Sequence, residues 1–502
     1  MEENKNTKIT FIKNMNKFNF NLTFNISIDS NVNIKNVLDV NAYMFDHKVE
    51  CGNGKAIISG KVGVKVLYLD TDNITSTLSE IQNFTETYSD NSITMDTYLN
   101  IINHTISHNV LSADGTLKIV CDVNIDPVAY LNLAMINNFQ NNDMLITKKS
   151  EISTNCISSF VSTQFEHVSN LDTKDSIGKI LCLNSYFTPE KILAEDGYAV
   201  VEGKMNTCVL YETISENDSA IKELRETSGV KYDIEIAGLN KDCSLDLSFM
   251  VDKSCEEVST DTEDNNSIIT IKNKIRISGV VLNNISIEII DDVYSVENNI
   301  EINLTKREYT KKAEQFSINE TISNEVILAD DEPTIDEVVS NLNIVPEITN
   351  SYIKNNTIYL EGIVASNLTY IDENKEYKHK QVEIPFIIDT KINAETMGCL
   401  HHSVTLLNSK LKVKRGTIIE LDYTLFISLV IYEKETREIV NNFTIGKQLD
   451  LSKYDIQIFI AKPNETMWDL CKRIKISPDN ITKYNKDLPL VMEGGEKVII
   501  KR

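Results

Sequence analysis

Apolar and polar residues alternate along much of this chain with a period of two. After Gly60, the residues Val62, Val64, Val66 and Tyr68 fall on one side of an extended segment, with Lys61, Gly63 and Lys65 on the other. Successive side chains of a strand point to opposite faces, so the pattern predicts a half-buried β-strand. Segments 117–123, 268–271 with 275–277, and 418–421 with 425–427 are equally rich in strand formers. Short strands of this kind with turn clusters between them predict sandwich- or barrel-like β units. Helix is sparse. One short helix is predicted over 332–338, with Pro333 near its first turn, and counterparts over 32–38 and 175–181.

The pattern also repeats over a long period. Asn41, Gly60 and Tyr68 are matched by Asn184, Gly203 and Tyr211, and again by Asn343, Gly362 and Tyr370. In every copy Asn and Gly stand 19 apart and Gly and Tyr 8 apart, spacing that signals duplication. Phe84 and Phe386 follow their tyrosines by 16, where the middle copy has Thr227. A glycine recurring inside a strand pattern marks a bulge or a close backbone approach. The chain then divides into 1–150, 151–310, 311–450 and 451–502, with joints in polar runs near 145–155, 305–315 and 445–452.

The last segment changes character. A strand carrying Ile456, Ile458 and Ile460 leads into Pro463-Asn464-Glu465-Thr466-Met467-Trp468-Asp469-Leu470 and a helix to Ile474. Thr466 caps that helix, and Asp469 three residues on completes a capping-box-like pair. Leu470, Cys471 and Ile474 form the inward stripe. Ser477-Pro478 starts a second short helix ending at Tyr484-Asn485, and Gly494-Gly495 turns the chain into a closing strand over 498–500. Trp468, the one tryptophan, reads either as core of this small unit or as part of a recognition surface.

Charge separates the tail from the body. The net charge is −24, yet residues 451–502 hold ten Lys/Arg against seven Asp/Glu, or +3, leaving −27 for the rest. So acidic a body repels nucleic acid and anionic membrane. No run approaches the eighteen or more apolar residues of a membrane helix, and residues 1–13 lack the apolar core of a secretory signal. The expectation is a cytoplasmic protein without membrane insertion. Nine scattered cysteines without a Cys-x-x-Cys argue against a disulfide framework or zinc ribbon.

Catalytic chemistry is hard to assemble from these residues. There is no phosphate-binding glycine loop and no His-Glu-x-x-His. His104, His108 and Cys121 lack a further ligand at useful spacing. His401-His402 alternate faces on a strand, and Gly398-Cys399 beside them has no supporting motif. Acidic runs 261–264 and 330–332 lack the glycine and terminal Glu of a calcium loop. The reading is a non-enzyme that needs no cofactor and no metal.

The strand-helix-helix-strand order of the tail, its Pro463-to-Trp468 run, Asn485 and Gly495-Glu496 resemble the LysM family, with Asn464-Glu465 where the family has Gly-Asp. The duplicated body, with Val-Leu-x-x-Asn and Gly-x-Val-x-x-x-Val-Leu-Tyr patterns, is similar to SPOCS domains of spore-coat assembly proteins. The implied fold class is mainly β: three tandem β-sandwich-like SPOCS repeats followed by a small βααβ LysM domain. The resemblance implies a scaffold in the mother-cell cytoplasm at the forespore surface, docking onto a SpoIVA-type coat ATPase and recruiting other coat proteins. The implied docking surface lies near Ile456, Thr466, Met467, Trp468 and Leu470. The family's alternative ligand, an N-acetylglucosamine polymer such as peptidoglycan, would lie against Asn464, Glu465, Thr466 and the stretch from Leu488 to Leu490.

Overall fold

A computed structural model of the chain describes residues 5–28, 33–113, 116–138, 145–214, 220–261, 266–329, 331–392, 399–449 and 456–501. Gly398, Asp330 and residues 262–264 lie outside them. The protein is mainly β. Strands β1 (Lys5–Asn14) and β2 (Phe18–Ser27) are followed by a meander of β3 (Ile34–Gly52), β4 (Lys55–Asp70) and β5 (Thr75–Ser89), then by β6 (Tyr98–Ala113) and β7 (Thr116–Asn138). The meander forms one sheet, and β1 and β2 lie end to end on one side of β7 with β6 on the other.

The same pairing order returns twice. In a second set, β8 (Leu145–Thr173) precedes the meander β9 (Ile177–Ala194), β10 (Tyr198–Thr213) and β11 (Ile221–Glu235), then β12 (Ser244–Asp261) and β13 (Asn266–Ser295). In a third, β14 (Asn298–Ile327) precedes β15 (Ile335–Lys354), β16 (Thr357–Asp372) and β17 (Tyr377–Lys391), then β18 (Cys399–Lys414) and β19 (Ile418–Gln448). In each set the two sheets close on an apolar core. Phe24, Ile119 and Val123 meet Val62, Val64 and Phe84 in the first; Phe165 and Ile277 meet Val201 and Met205 in the second; Leu421 and Leu425 meet Leu360 and Val364 in the third.

Three expectations need correction. Breaks at 150/151 and 310/311 fall inside β8 and β14, so the strand sets change over between β7 and β8 and between β13 and β14 instead. The helix expected over 332–338 is a turn at 331–332 leading into strand from Ile335, and segment 175–181 is a bend followed by strand from Ile177. Ile335, Val338 and Val339 are β-branched, and pairing with β16 outweighs the helix-start signal of Pro333. Residue 32 lies outside the described part, and β3 begins at Ile34.

The recurrent glycines mark close approaches. A Cβ on Gly60 would come within 2.9 Å of the Phe84 ring, and one on Gly362 within 2.4 Å of the Phe386 ring. Each phenylalanine is the cross-strand partner of its glycine. The middle set solves the same problem differently. Its hairpin loop, 214–220, is three residues longer than 71–74, so Gly203 pairs with Val230 rather than Thr227. Phe187, from the strand on the other side, covers the glycine instead.

The sets close into a ring. Arg276 of the second donates to the His47 carbonyl of the first (2.7 Å), Thr188 of the second to Leu406 of the third (3.5 Å), and Lys17 of the first to Ile348 of the third (3.2 Å). Thr10, Thr154 and Thr310, all fully buried, meet where β1, β8 and β14 converge: Ile157 N–H donates to Thr10 Oγ1, Ile12 N–H to Thr310 Oγ1, and Thr154 Oγ1 to the Thr310 carbonyl. Elsewhere, the repeated asparagine Asn343 (φ 50°) donates to both carboxylate oxygens of Asp39, at 2.8 and 2.7 Å. Burial raises the Asp39 carboxyl to about 6 despite these bonds. Tyr68, Tyr211 and Tyr370 are buried.

Candidate functional site

The C-terminal segment pairs β20 (Ile456–Ile460) with β21 (Lys497–Lys501) and places helices α1 (Met467–Ile474) and α2 (Pro478–Tyr484) between them. The capping box forms as expected: Thr466 Oγ1 accepts Asp469 N–H and the Asp469 carboxylate accepts Thr466 N–H, both at 3.2 Å. Lys475 stops α1 in a left-handed conformation (φ 55°), with Lys472 and Arg473 in the last turn where the helix dipole favours cations. Ser477 caps α2. Asn485 then ties that helix to β21, donating to the Ile499 carbonyl at 2.6 Å and accepting Ile499 N–H at 2.7 Å. Gly494 (φ 102°) has no room for a side chain, since a Cβ there would sit 2.7 Å from Pro463.

The predicted site residues separate into distinct roles. Leu470 is fully buried in the module's core, and Met467 and Leu488 pack against that core half-buried. Glu465 is buried too. Its carboxylate is clamped by Arg473 (Nε–Oε1 2.6 Å, a second guanidinium nitrogen to Oε2 2.8 Å) and accepts Lys462 N–H at 2.9 Å. Arg473 holds this carboxyl below the usual carboxylate range. Leu470 of the expected docking set and Glu465 of the expected glycan set therefore build the module rather than its outer surface, while Met467 and Leu488 keep part of their surface open. Thr466 is spent on its cap.

Ile456 and Leu490 are open, 65% and 82% exposed, and Asn464 (φ 60°) is exposed at the tip of its turn. Ile456, Ile458 and Ile460 stand together on the outer face of the small sheet, opposite Lys501, Ile499 and Lys497. The loops that carry Asn464 and Leu490 are adjacent, because Asn464 N–H donates to the Met492 carbonyl and Met467 N–H to that of Leu490.

Trp468 packs half-buried against the module's core and also reaches beyond it. Its indole N–H donates to Asp292 Oδ2 at 2.8 Å, and its ring meets Tyr294 edge-on with centroids 5.1 Å apart. Lys472 Nζ reaches both Asp292 oxygens at 2.7 and 2.8 Å. Tyr294 is fully buried within the module's core and donates to the Ile476 carbonyl at 2.6 Å. Burial alone would raise the Asp292 carboxyl, but Lys472 and Trp468 outweigh it and hold it low. The module is seated on the end of β13. Sequence reasoning missed Asp292 and Tyr294; the trace was a break in alternation at Ile289-Ile290-Asp291-Asp292, matching a register shift at 290/292.

Chemistry in the body is concentrated in one buried network. Asp246 accepts Tyr130 OH at 2.5 Å, Tyr432 OH, and His401 Nδ1 at 3.2 Å; His401 Nε2 lies 3.3 Å from Cys399 Sγ, which contacts Asn14. Thiol, imidazole and carboxylate follow the order of a nucleophilic triad. All three are buried, however, and the cavity beside His401 is about 70 Å³, well under the roughly 300 Å³ of a small-ligand site. The network joins all three sets, from Tyr130 in the first through Asp246 in the second to Tyr432 in the third. Fully connected polar groups of this kind fix one arrangement of packed parts. His108 stands opposite Cys121 across β6 and β7, and no cluster of three metal-ligating side chains occurs among the described residues.

Comparison with protein families, with curated proteins and with solved structures finds no match to this chain.

Proposed function

We propose that this chain is a non-catalytic scaffold of spore-coat assembly, similar to the clostridial morphogenetic protein SipL and akin in role to SpoVID. In this reading three SPOCS-type units form the ring and residues 456–501 are a LysM module that presents one face to a partner. The observation that carries it is the outer face of the small sheet. Ile456, Ile458 and Ile460 are exposed together, flanked by Lys497 and Lys501, while the opposite side of the module is occupied by the ring. A flat apolar strip bordered by cations suits a protein surface that is apolar at its centre and acidic at its rim. The partner is a SpoIVA-type coat ATPase at the forespore surface, reached from the mother-cell cytoplasm. The ring recruits further coat proteins.

Capture of that ATPase by the full chain tests the reading. Ile458→Glu, at an exposed position, is expected to abolish capture while circular dichroism stays unchanged. Asn464→Trp, which obstructs the loop pair, is expected to leave capture intact. Capture by Ile458→Glu at the level of the unaltered chain would refute the docking face. Sedimentation with purified peptidoglycan, lost in Asn464→Trp but kept in Ile458→Glu, would establish the glycan alternative.

A further inference from the structure

The three junctions of the ring are not equally closed. At the third-to-first junction Lys17 crosses to the Ile348 carbonyl and to Glu347. At the second-to-third junction the spaces are smaller, about 310 Å³ between Arg225 and Ser340 and about 70 Å³ beside Phe187 and Pro189. The first-to-second junction instead opens into a groove of about 930 Å³. Its floor is the outer face of the first meander, with Lys48, Lys61 and Thr85; its far wall is β8 at Ser162, Thr163 and Gln164, with Arg276 at one end.

Two features of this groove point to an occupant. First, β8 is the terminal strand of its sheet, paired only with β13, so its outward N–H and C=O groups over 162–164 face the groove without a strand partner. An exposed edge of this sort is a template for an added strand. Second, in a chain of net charge −24 the lining carries Lys48, Lys61 and Arg276 against the single carboxylate of Asp46. Asp46 is taken by Lys61 at 2.9 Å, and Asp252 behind it by Arg276 at 2.7 Å. Lys48 has no carboxylate partner among the described residues. His47, nine-tenths buried in the wall, has an Nδ1 with no hydrogen-bond partner there either.

We infer that this groove binds an extended, acidic peptide segment of a partner protein, which adds as a strand to the free edge of β8 while its carboxylates meet Lys48. Main-chain hydrogen bonds would supply affinity and alternate acidic side chains the selectivity. None of the residues that line the groove belongs to the terminal module, so the two sites can be altered separately.

A fluorescein-labelled Glu-Val alternating decapeptide is the probe, titrated into the full chain and read by anisotropy and amide hydrogen exchange. Binding is expected to weaken at least tenfold in Lys48→Glu, whose exposed side chain leaves the thermal midpoint unchanged. Slowed exchange is expected over 160–166. A Lys-Val peptide, and a Glu-Val peptide N-methylated at alternate residues, are expected not to bind. Absence of binding, an unaffected Lys48→Glu variant, equal binding of either control peptide, or protection elsewhere would each overturn the inference.

Discussion

Trp468 and Asp292 are 176 residues apart and joined by a 2.8 Å hydrogen bond from indole to carboxylate. The one tryptophan of the chain therefore reports on where its terminal module sits. Asp292→Ala removes that acceptor and the Lys472 ion pair together, and is expected to weaken the seat by about 1–3 kcal/mol. Tryptophan emission should shift to the red, with the ring's own unfolding unchanged. Because the Asp292 carboxyl is held below its ordinary value, its contribution is present above the unfolded pKa near 3.8 and lost as pH falls through the folded one.

Glycines 60 and 362 look equivalent in sequence but differ in what crowds them. A Cβ on Gly60 would meet the Phe84 ring at 2.9 Å and the His47 Cα at 3.0 Å, whereas one on Gly362 is driven much closer to backbone, 2.3 Å from the Glu347 carbonyl oxygen. Either alanine should cost about 1–3 kcal/mol from overpacking. Adding Phe84→Leu is expected to recover part of the loss at 60. Phe386→Leu should recover little at 362, because backbone cannot yield as a side chain can. Urea midpoints of the two double variants decide this.

Thr310 Oγ1 accepts the N–H of Ile12 from another strand set. Thr310→Val leaves that buried donor unpaired, with an expected loss of about 1–3 kcal/mol, and Thr310→Ser keeps it. Faster exchange of the Ile12 amide in the valine variant alone would check the assignment.

Histidines set opposite pH limits. Burial lowers His47, His104 and His402 to about 4, below the ordinary 6.5, so these groups favour the fold fully above 6.5 and withdraw that support as pH falls towards 4. Burial would also lower His401, but Cys399 and Asp246 outweigh it and raise it to about 10. Its contribution is complete below 6.5 and lost as pH rises through about 10. Stability should therefore peak near pH 6.5, and His401→Gln should flatten the alkaline side of the profile of thermal midpoints.

Local patterns carried much of this architecture. Alternation around Gly60 and the fixed spacing of Asn41, Gly60 and Tyr68 with their counterparts foreshadowed strands that recur in the same order. The cap at Thr466 and the turn at Gly494 could be read residue by residue, because helix ends and tight turns depend on neighbours within a few positions. What local pattern could not convey was which surface another segment covers. Leu470 and Ile456 are both apolar, yet one fills a core and the other faces solvent. Counting 16 from Tyr211 leads to Thr227, but the longer connection before β11 puts Val230 opposite Gly203 instead. Asp246, Cys399 and His401 meet only because distant strands converge, and Tyr294 completes a core that begins some 160 residues later in the chain.

Because Thr10, Thr154 and Thr310 belong to a single polypeptide, the closed triangle they mark cannot fall apart on dilution, as an assembly of three separate copies would. Nor must its corners stay identical, since each is written by its own stretch of sequence. One corner was thus free to widen further than the other two.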